Sequence, residues 1–172
     1  IDYQNVPKAK EKKDMQLAIQ SIKKIFGQRP LGWYTGRCSP NTRDLVMEEG
    51  GFLYDSDSYS DDLPYWEVRG KKKQLIVPYT LDNNDMRFAT NQGFNSGDQF
   101  YTYLKDSFDA LYNEGSTHPK MMSVGLHCRL IGRPGRIQSL RKFLDYVLKH
   151  QEVWICKRID IAKHWIKNYS DI

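Results

Sequence analysis

Cysteine is scarce in this sequence and unpatterned. Cys38, Cys128 and Cys156 are odd in number, far apart and without a CxxC spacing. That excludes a full disulfide framework and a structural zinc site, and it leads to the expectation of three reduced thiols in a cytoplasmic protein. No stretch approaches the roughly 18 consecutive apolar residues of a membrane span, and no membrane partner is expected. There is no HxxxH or HExxH pair, so the chain's four histidines do not make a metal site. A surplus of one charge is also missing: 26 Lys and Arg face 21 Asp and Glu, a net +5. So mild an excess argues for nucleic acid only if gathered on one face, and Lys71-Lys72-Lys73 beside Arg69 reads as a solvated turn. No charged segment followed by an apolar stretch opens the chain at Ile1, so no signal peptide is expected. The start at Ile rather than Met raises the expectation that this is the later part of something longer.

What is present is a folding composition. Apolar residues are 40% and aromatics 13% of the 172, enough for one domain with a sizeable core or for part of a larger one. A charged run from Lys8 to Lys13 approaches a helix whose stripe is Met15, Ile19, Ile22 and Phe26, stopped by Gly27. Leu31 to Tyr34 enters a short strand, and Asn41 to Glu49 reads as a helix ended by Gly50-Gly51. Phe52 to Tyr54 and Gln74 to Val77 read as strands. After a long polar loop, Ser96 and Gln99 form a capping box for a helix with the stripe Phe100, Leu104, Phe108 and Leu111. Met121 to Leu126 reads as a strand, Pro134 to Val147 as a helix opened by proline, Val153 to Ile155 as the last strand and Lys157 to Ile166 as the last helix. Brief apolar strands alternating with helices predict an α/β fold with a parallel sheet, open or closed into a barrel, in a single structural unit.

In such architectures chemistry gathers in the loops after strand ends. Asp55 and Asp57 follow one strand, Asn83, Asn84 and Asp85 another, and His127 and Arg129 a third. A histidine at a strand's end can hold a proton and deliver it to a leaving group, although a rim histidine with a satisfied hydrogen bond is the commoner case. Asp55 to Asp62 lacks the glycine and the distal glutamate of a calcium loop, and Asp61 and Asp62 within it read as a solvated turn.

Longer ordered motifs carry a resemblance. Arg29-Pro30-Leu31-Gly32-Trp33-Tyr34-Thr35-Gly36-Arg37, Asn41-Thr42-Arg43, Gly50 to Asp57, Asp61 to Trp66, Pro78 to Phe88 and Gly125 to Pro134 resemble the polysaccharide deacetylase family, most of all its allantoinase branch. The similarity covers nearly the whole chain. It implies a distorted (β/α) barrel of the polysaccharide deacetylase type with fewer than eight strands, incomplete because its N-terminal strands are missing, with residues 1–172 as the C-terminal part of the catalytic domain. It implies hydrolysis of a non-peptide C–N bond. Arg29, in the Arg-Pro motif, would brace the catalytic base, and His127 would be the general acid. Asp55, Asp57 and Trp66 would shape the pocket. From the hydrogen-bonding chemistry of the side chains rather than from the resemblance, Asn84, Arg129 or Asp55 is expected to hold the substrate. The motifs bearing the base and the metal-site histidines would lie upstream of Ile1. A divalent metal in the intact domain is therefore left open, with no ligand set in this chain.

The expected function is allantoinase-like opening of the allantoin ring to allantoate in purine catabolism. Its substrate is a small ureide, whose N–H donors and carbonyl acceptors suit Asn and Asp side chains. The branch implies a homo-oligomer when intact. One alternative is deacetylation of an N-acetylated sugar polymer such as chitin or peptidoglycan. Another is a non-catalytic fragment, since a barrel without its first strands exposes sheet edges and apolar core.

Overall fold

The computed structural model describes residues 1–170. They divide into two compact units, one of Ile1–Pro78 with the segment from Cys156 onward, the other of Tyr79–Ile155. The sequence carries no linker between them, and the boundaries fall at Pro78 and Cys156 within continuous loops.

The first unit holds α1 (Lys8–Phe26), β1 (Gly32–Trp33), α2 (Thr42–Glu49), β2 (Tyr54–Asp55), β3 (Tyr65–Arg69), β4 (Lys72–Ile76) and α6 (Arg158–Asn168). Its four strands form an open sheet in the order β1-β2-β4-β3. β1, β2 and β4 run parallel as expected, but β3 is antiparallel to β4. Leu75, Ile76 and Val77 are consecutive and all fully buried, as in a strand covered on both faces. Met15 and Ile19 of α1 pack with Leu45 and Val46 of α2, Phe52 and Trp33.

Two features of this unit depart from the sequence reading. The charged run Lys8 to Lys13 is itself helical, because Glu11 within it is buried. Its carboxylate accepts from Ser39 Oγ at 2.5 Å and from Thr42 Oγ1, fastening α1 to the loop that opens α2. The second departure is the β3–β4 hairpin. Residues Gly70 and Lys71 make its turn, with Gly70 at φ +59, a value glycine adopts without strain. Lys72 and Lys73 therefore lie in a strand rather than in the expected turn. Lys72 donates to Met47 O, and Lys73 lies 4.7 Å over the Trp66 ring.

The second unit holds a 3-10 turn (Asp85–Ala89), α3 (Gly97–Gly115), α4 (Cys128–Ile131) and α5 (Pro134–Val147). Phe94, Phe100, Leu104, Phe108, Ile131, Phe143 and Val147 make its core. The α3 stripe is as predicted, and Ser96 Oγ accepts from Gln99 N at 3.3 Å. The reciprocal bond differs, since Gln99 Oε1 accepts from Asn95 N rather than from Ser96.

Neither strand expected here forms. Met121 to Leu126 contributes one parallel bridge, Gly125 to Asn84, and Val153 to Ile155 is irregular. Short apolar runs become strands only where a neighbouring strand receives their backbone, and among the described residues none lies beside them. Trp154 and Ile155 are consequently 59% and 56% exposed.

Candidate active site

In the first unit the loops after β1 and β2 are fastened by carboxylates. Asp57 accepts from the backbone N–H groups of Thr35 and Gly36, both at 2.7 Å. Asp55 is fully buried, accepts from Asp57 N at 2.8 Å, and pairs with Arg43 Nη1 at 2.6 Å. Arg43 also donates to Asp57 O at 2.9 Å and approaches Glu67 at 3.3 Å. One guanidinium thus serves three groups from two strands and a loop. Burial pushes the Asp55 carboxyl up to about 6 in spite of the opposing pull of Arg43. Beyond β4, Arg158 Nη1 donates to Val77 O at 2.9 Å and Pro78 O at 2.7 Å, which fixes the carboxyl end of that strand.

In the second unit the centre is Asp85, also fully buried. Its Oδ2 accepts from the backbone N–H groups of His127 at 2.8 Å and Ile131 at 3.0 Å. Its Oδ1 lies 2.6 Å from His127 Nδ1. An ionised carboxylate can only accept, so the proton of that bond sits on Nδ1, and Nε2 is the nitrogen left to face outward chemistry. The His127 side chain is 26% exposed, so solvent reaches the ring.

The backbone sets this pair in register. Gly125 N donates to Asn83 O at 2.8 Å, and Asp85 N donates to Gly125 O at 2.9 Å. A Cβ on Gly125 would stand 2.3 Å from Asn84 Nδ2 and 2.7 Å from Tyr79 Oη, so only glycine lets the two segments approach this closely.

The expected site residues fall into three groups. His127 is held, oriented and wetted, as a proton donor requires. Asp55 and Asp57 lie at strand ends, but their oxygens are occupied by Arg43 and backbone amides. Asn84, only 4% exposed, is likewise engaged: its Oδ1 caps the 3-10 turn by accepting from Met86 N, and its Nδ2 donates to Thr80 O. Arg29 donates to Gly50 O at 2.9 Å and lies 5.2 Å over the Phe52 ring, bracing the end of α2. Trp66 gives its indole N–H to Tyr169 O at 2.6 Å. Arg129 is exposed on α4.

Sequence reasoning did not single out Arg43, Asp85 or Arg158. Asp85 stood in the polar cluster after a strand, yet its partner is 42 positions away, a separation that no local pattern announces. Arg43 offered one hint, a cation three positions before the apolar pair Val46-Met47 of a helix leading into a Gly-Gly turn. Among the described residues no group of three or more His, Cys, Asp or Glu is placed to hold a metal ion. No helix among them is long and apolar enough to cross a membrane. Cys38 and Cys128 are exposed and Cys156 is half-buried, and none of the three is in a disulfide.

No family model matches the chain. A putative polysaccharide deacetylase of Schizosaccharomyces pombe is 43% identical over 182 residues, covering 96% of this chain and 57% of that protein. The probable polysaccharide deacetylase of Pseudomonas aeruginosa PAO1 superimposes with a TM-score of 0.96 at 58% identity, covering 98% of this chain and 57% of the other. Puue allantoinase gives 0.95 at 58% identity, with the same two coverages. The chain thus spans a little over half the length of each protein it matches. The open sheet, the strand-end carboxylates and the histidine after Leu126 sit in a backbone shared with these enzymes, and the chain belongs to the polysaccharide deacetylase family.

Proposed function

We propose that this chain supplies the acid half of an allantoinase-type active site, which opens the ring of a small ureide by hydrolysing a C–N bond. The observation that carries this reading is the His127–Asp85 pair. Hydrolysis of a cyclic ureide leaves a ring nitrogen that must gain a proton as its bond to the carbonyl carbon breaks. With a proton on each ring nitrogen, His127 is paired with the buried Asp85 carboxylate through Nδ1, and Nε2 hands its proton to the departing nitrogen. The attacking water is activated by a group outside this chain. Arg129, exposed two residues beyond His127, is the side chain free to meet a ureide carbonyl. Asp55 and Asp57 keep the strand-end loops of the first unit in shape.

The 58% identity to Puue allantoinase favours the ureide. An equal identity to the Pseudomonas probable polysaccharide deacetylase keeps an N-acetylated sugar as the second reading. The same acid would then protonate the amine leaving from an acetamide. A parallel assay of the full-length protein with allantoin and with an N-acetylglucosamine oligomer decides between them. Turnover of allantoin to allantoate with no acetate released is the expected result. Acetate release alone would overturn the ureide assignment.

A further inference from the structure

The Asp85–His127 pair joins a 3-10 turn to α4, a helix of only four residues. So short a helix does not hold its shape alone, and what keeps the imidazole on its carboxylate lies outside it. One tie is the backbone bridge of Gly125 with Asn83 and Asp85, ahead of the pair in both segments. A second is the Asp85 carboxylate, which accepts from the N–H groups of His127 and Ile131 at the two ends of α4. A third comes from α5. Arg136 Nη1 donates to Leu130 O at 3.4 Å, and the guanidinium carbon lies 4.4 Å from the centre of the Phe88 ring. Phe88 stands three residues beyond Asp85, and Leu130 three beyond His127. One half-buried cation therefore spans both segments just past the pair.

Both contacts suit a cation. The face of an aromatic ring attracts a guanidinium. Leu130 O lies in the last turn of α4, where its helical donor four residues on would be Pro134, which has no N–H. Apart from a long bond from Arg133 N at 3.4 Å, Arg136 is what meets that carbonyl. The ring cannot easily yield, since its centre is 5.5 Å from those of both Phe94 and Phe100. Nor can the root of the side chain. Arg136 N donates to Arg133 O at 2.9 Å, and a Cβ on Gly97 of α3 would stand 2.2 Å from Ser139 Oγ and 2.9 Å from Gly135 O of α5.

We propose that Arg136 is a positioning residue for the acid. It holds α4 against the 3-10 turn, so that His127 keeps its Nδ1 proton on Asp85 and its Nε2 available. The effect on turnover rests on the reading of His127 as the acid; the effect on the Nδ1 proton does not. If the buried Ile131 side chain alone anchored α4, Arg136 could be replaced without moving that proton.

The test follows the Nδ1 proton of His127 by NMR in the full-length protein, its resonance identified by its loss in His127→Ala. Arg136→Leu keeps an apolar stem. In that variant the proton should exchange with water about tenfold faster, and kcat should fall about tenfold with KM little changed. Arg136→Lys keeps a cation over Phe88 and should bring both quantities back to within about threefold of the parent. Arg141→Leu, exposed on the same helix, should change neither. Phe88→Leu removes the other partner, and combined with Arg136→Leu it should speed exchange no further than the faster of the two single variants. Exchange at the parent rate in Arg136→Leu overturns the proposal, as does Arg136→Lys exchanging as fast as Arg136→Leu. An unchanged kcat in Arg136→Leu while His127→Ala is inactive overturns it too. Full activity in His127→Ala would instead sink the acid reading, and proton exchange would still decide the role of Arg136.

Discussion

Each unit buries one aspartate completely, and the two are satisfied in different ways. Asp55 meets a guanidinium, which also bonds a neighbouring loop carbonyl and a second carboxylate, so its charge is absorbed in a clamp. Asp85 meets two backbone amides and an imidazole that solvent still reaches. The first arrangement consumes every group it touches. The second leaves one nitrogen unspent. A buried carboxylate is therefore no mark of catalysis in itself; what distinguishes the two is whether the partner has a functional atom to spare.

The largest test of this contrast is His127→Ala in the full-length protein, which should lower turnover by ~10²–10⁴ while leaving the unfolding midpoint nearly unchanged. Retention of full activity would remove the acid from the mechanism. Next comes Arg43→Met, which strands Asp55 as an uncompensated buried charge and should cost about 3–5 kcal/mol in denaturant unfolding. If it proved neutral, the clamp would be no clamp. Asp85→Asn keeps the shape but misorients the imidazole, and a loss of about 10- to 100-fold in kcat with little change in KM is expected. The smallest effect is one of pH. The Asp55 carboxyl, raised from its ordinary 3.8 to about 6 by burial, binds its proton more tightly in the folded state than in the unfolded one. Its contribution to stability is complete below the lower value and is lost as pH rises through the upper one. The stability of the parent relative to Asp55→Asn should therefore fall as pH rises between ~4 and ~6, and the two should run parallel above.

Much of the framework was legible because it is local. The α3 stripe, the proline-opened α5 and the glycine stop of α1 each follow from neighbours within one or two turns. The hairpin escaped because Tyr65 to Arg69 mixes apolar with charged residues, and because the lysines after Gly70 look like a solvated run until the Lys73 ammonium is seen over the Trp66 ring and that of Lys72 on the Met47 carbonyl of α2. The two absent strands show the converse error. Met121 to Leu126 and Val153 to Ile155 have strand composition but, in this chain, no receiving edge. At the site, His127 was visible from its place after an apolar run. The resemblance put Asp57 at the pocket and side-chain type put Asn84 at the substrate, and neither reveals that backbone amides and a carbonyl hold these side chains. Asp85 and Arg43 became evident only when distant segments were brought together.

The single bridge between Asn84 and Gly125 has a consequence for how this site tolerates change in length. Two main-chain bonds align the segment bearing the acid's anchor with the segment bearing the acid, and everything between them is an excursion through α3. Residues can be added to or taken from that excursion at little entropic expense, since closing a longer loop costs only slightly more than closing a shorter one. One residue inserted between Gly125 and His127 would instead carry the imidazole to the wrong side of its carboxylate. Relatives should thus vary freely in the span around residues 113–120 and hold the two-residue step from glycine to histidine fixed.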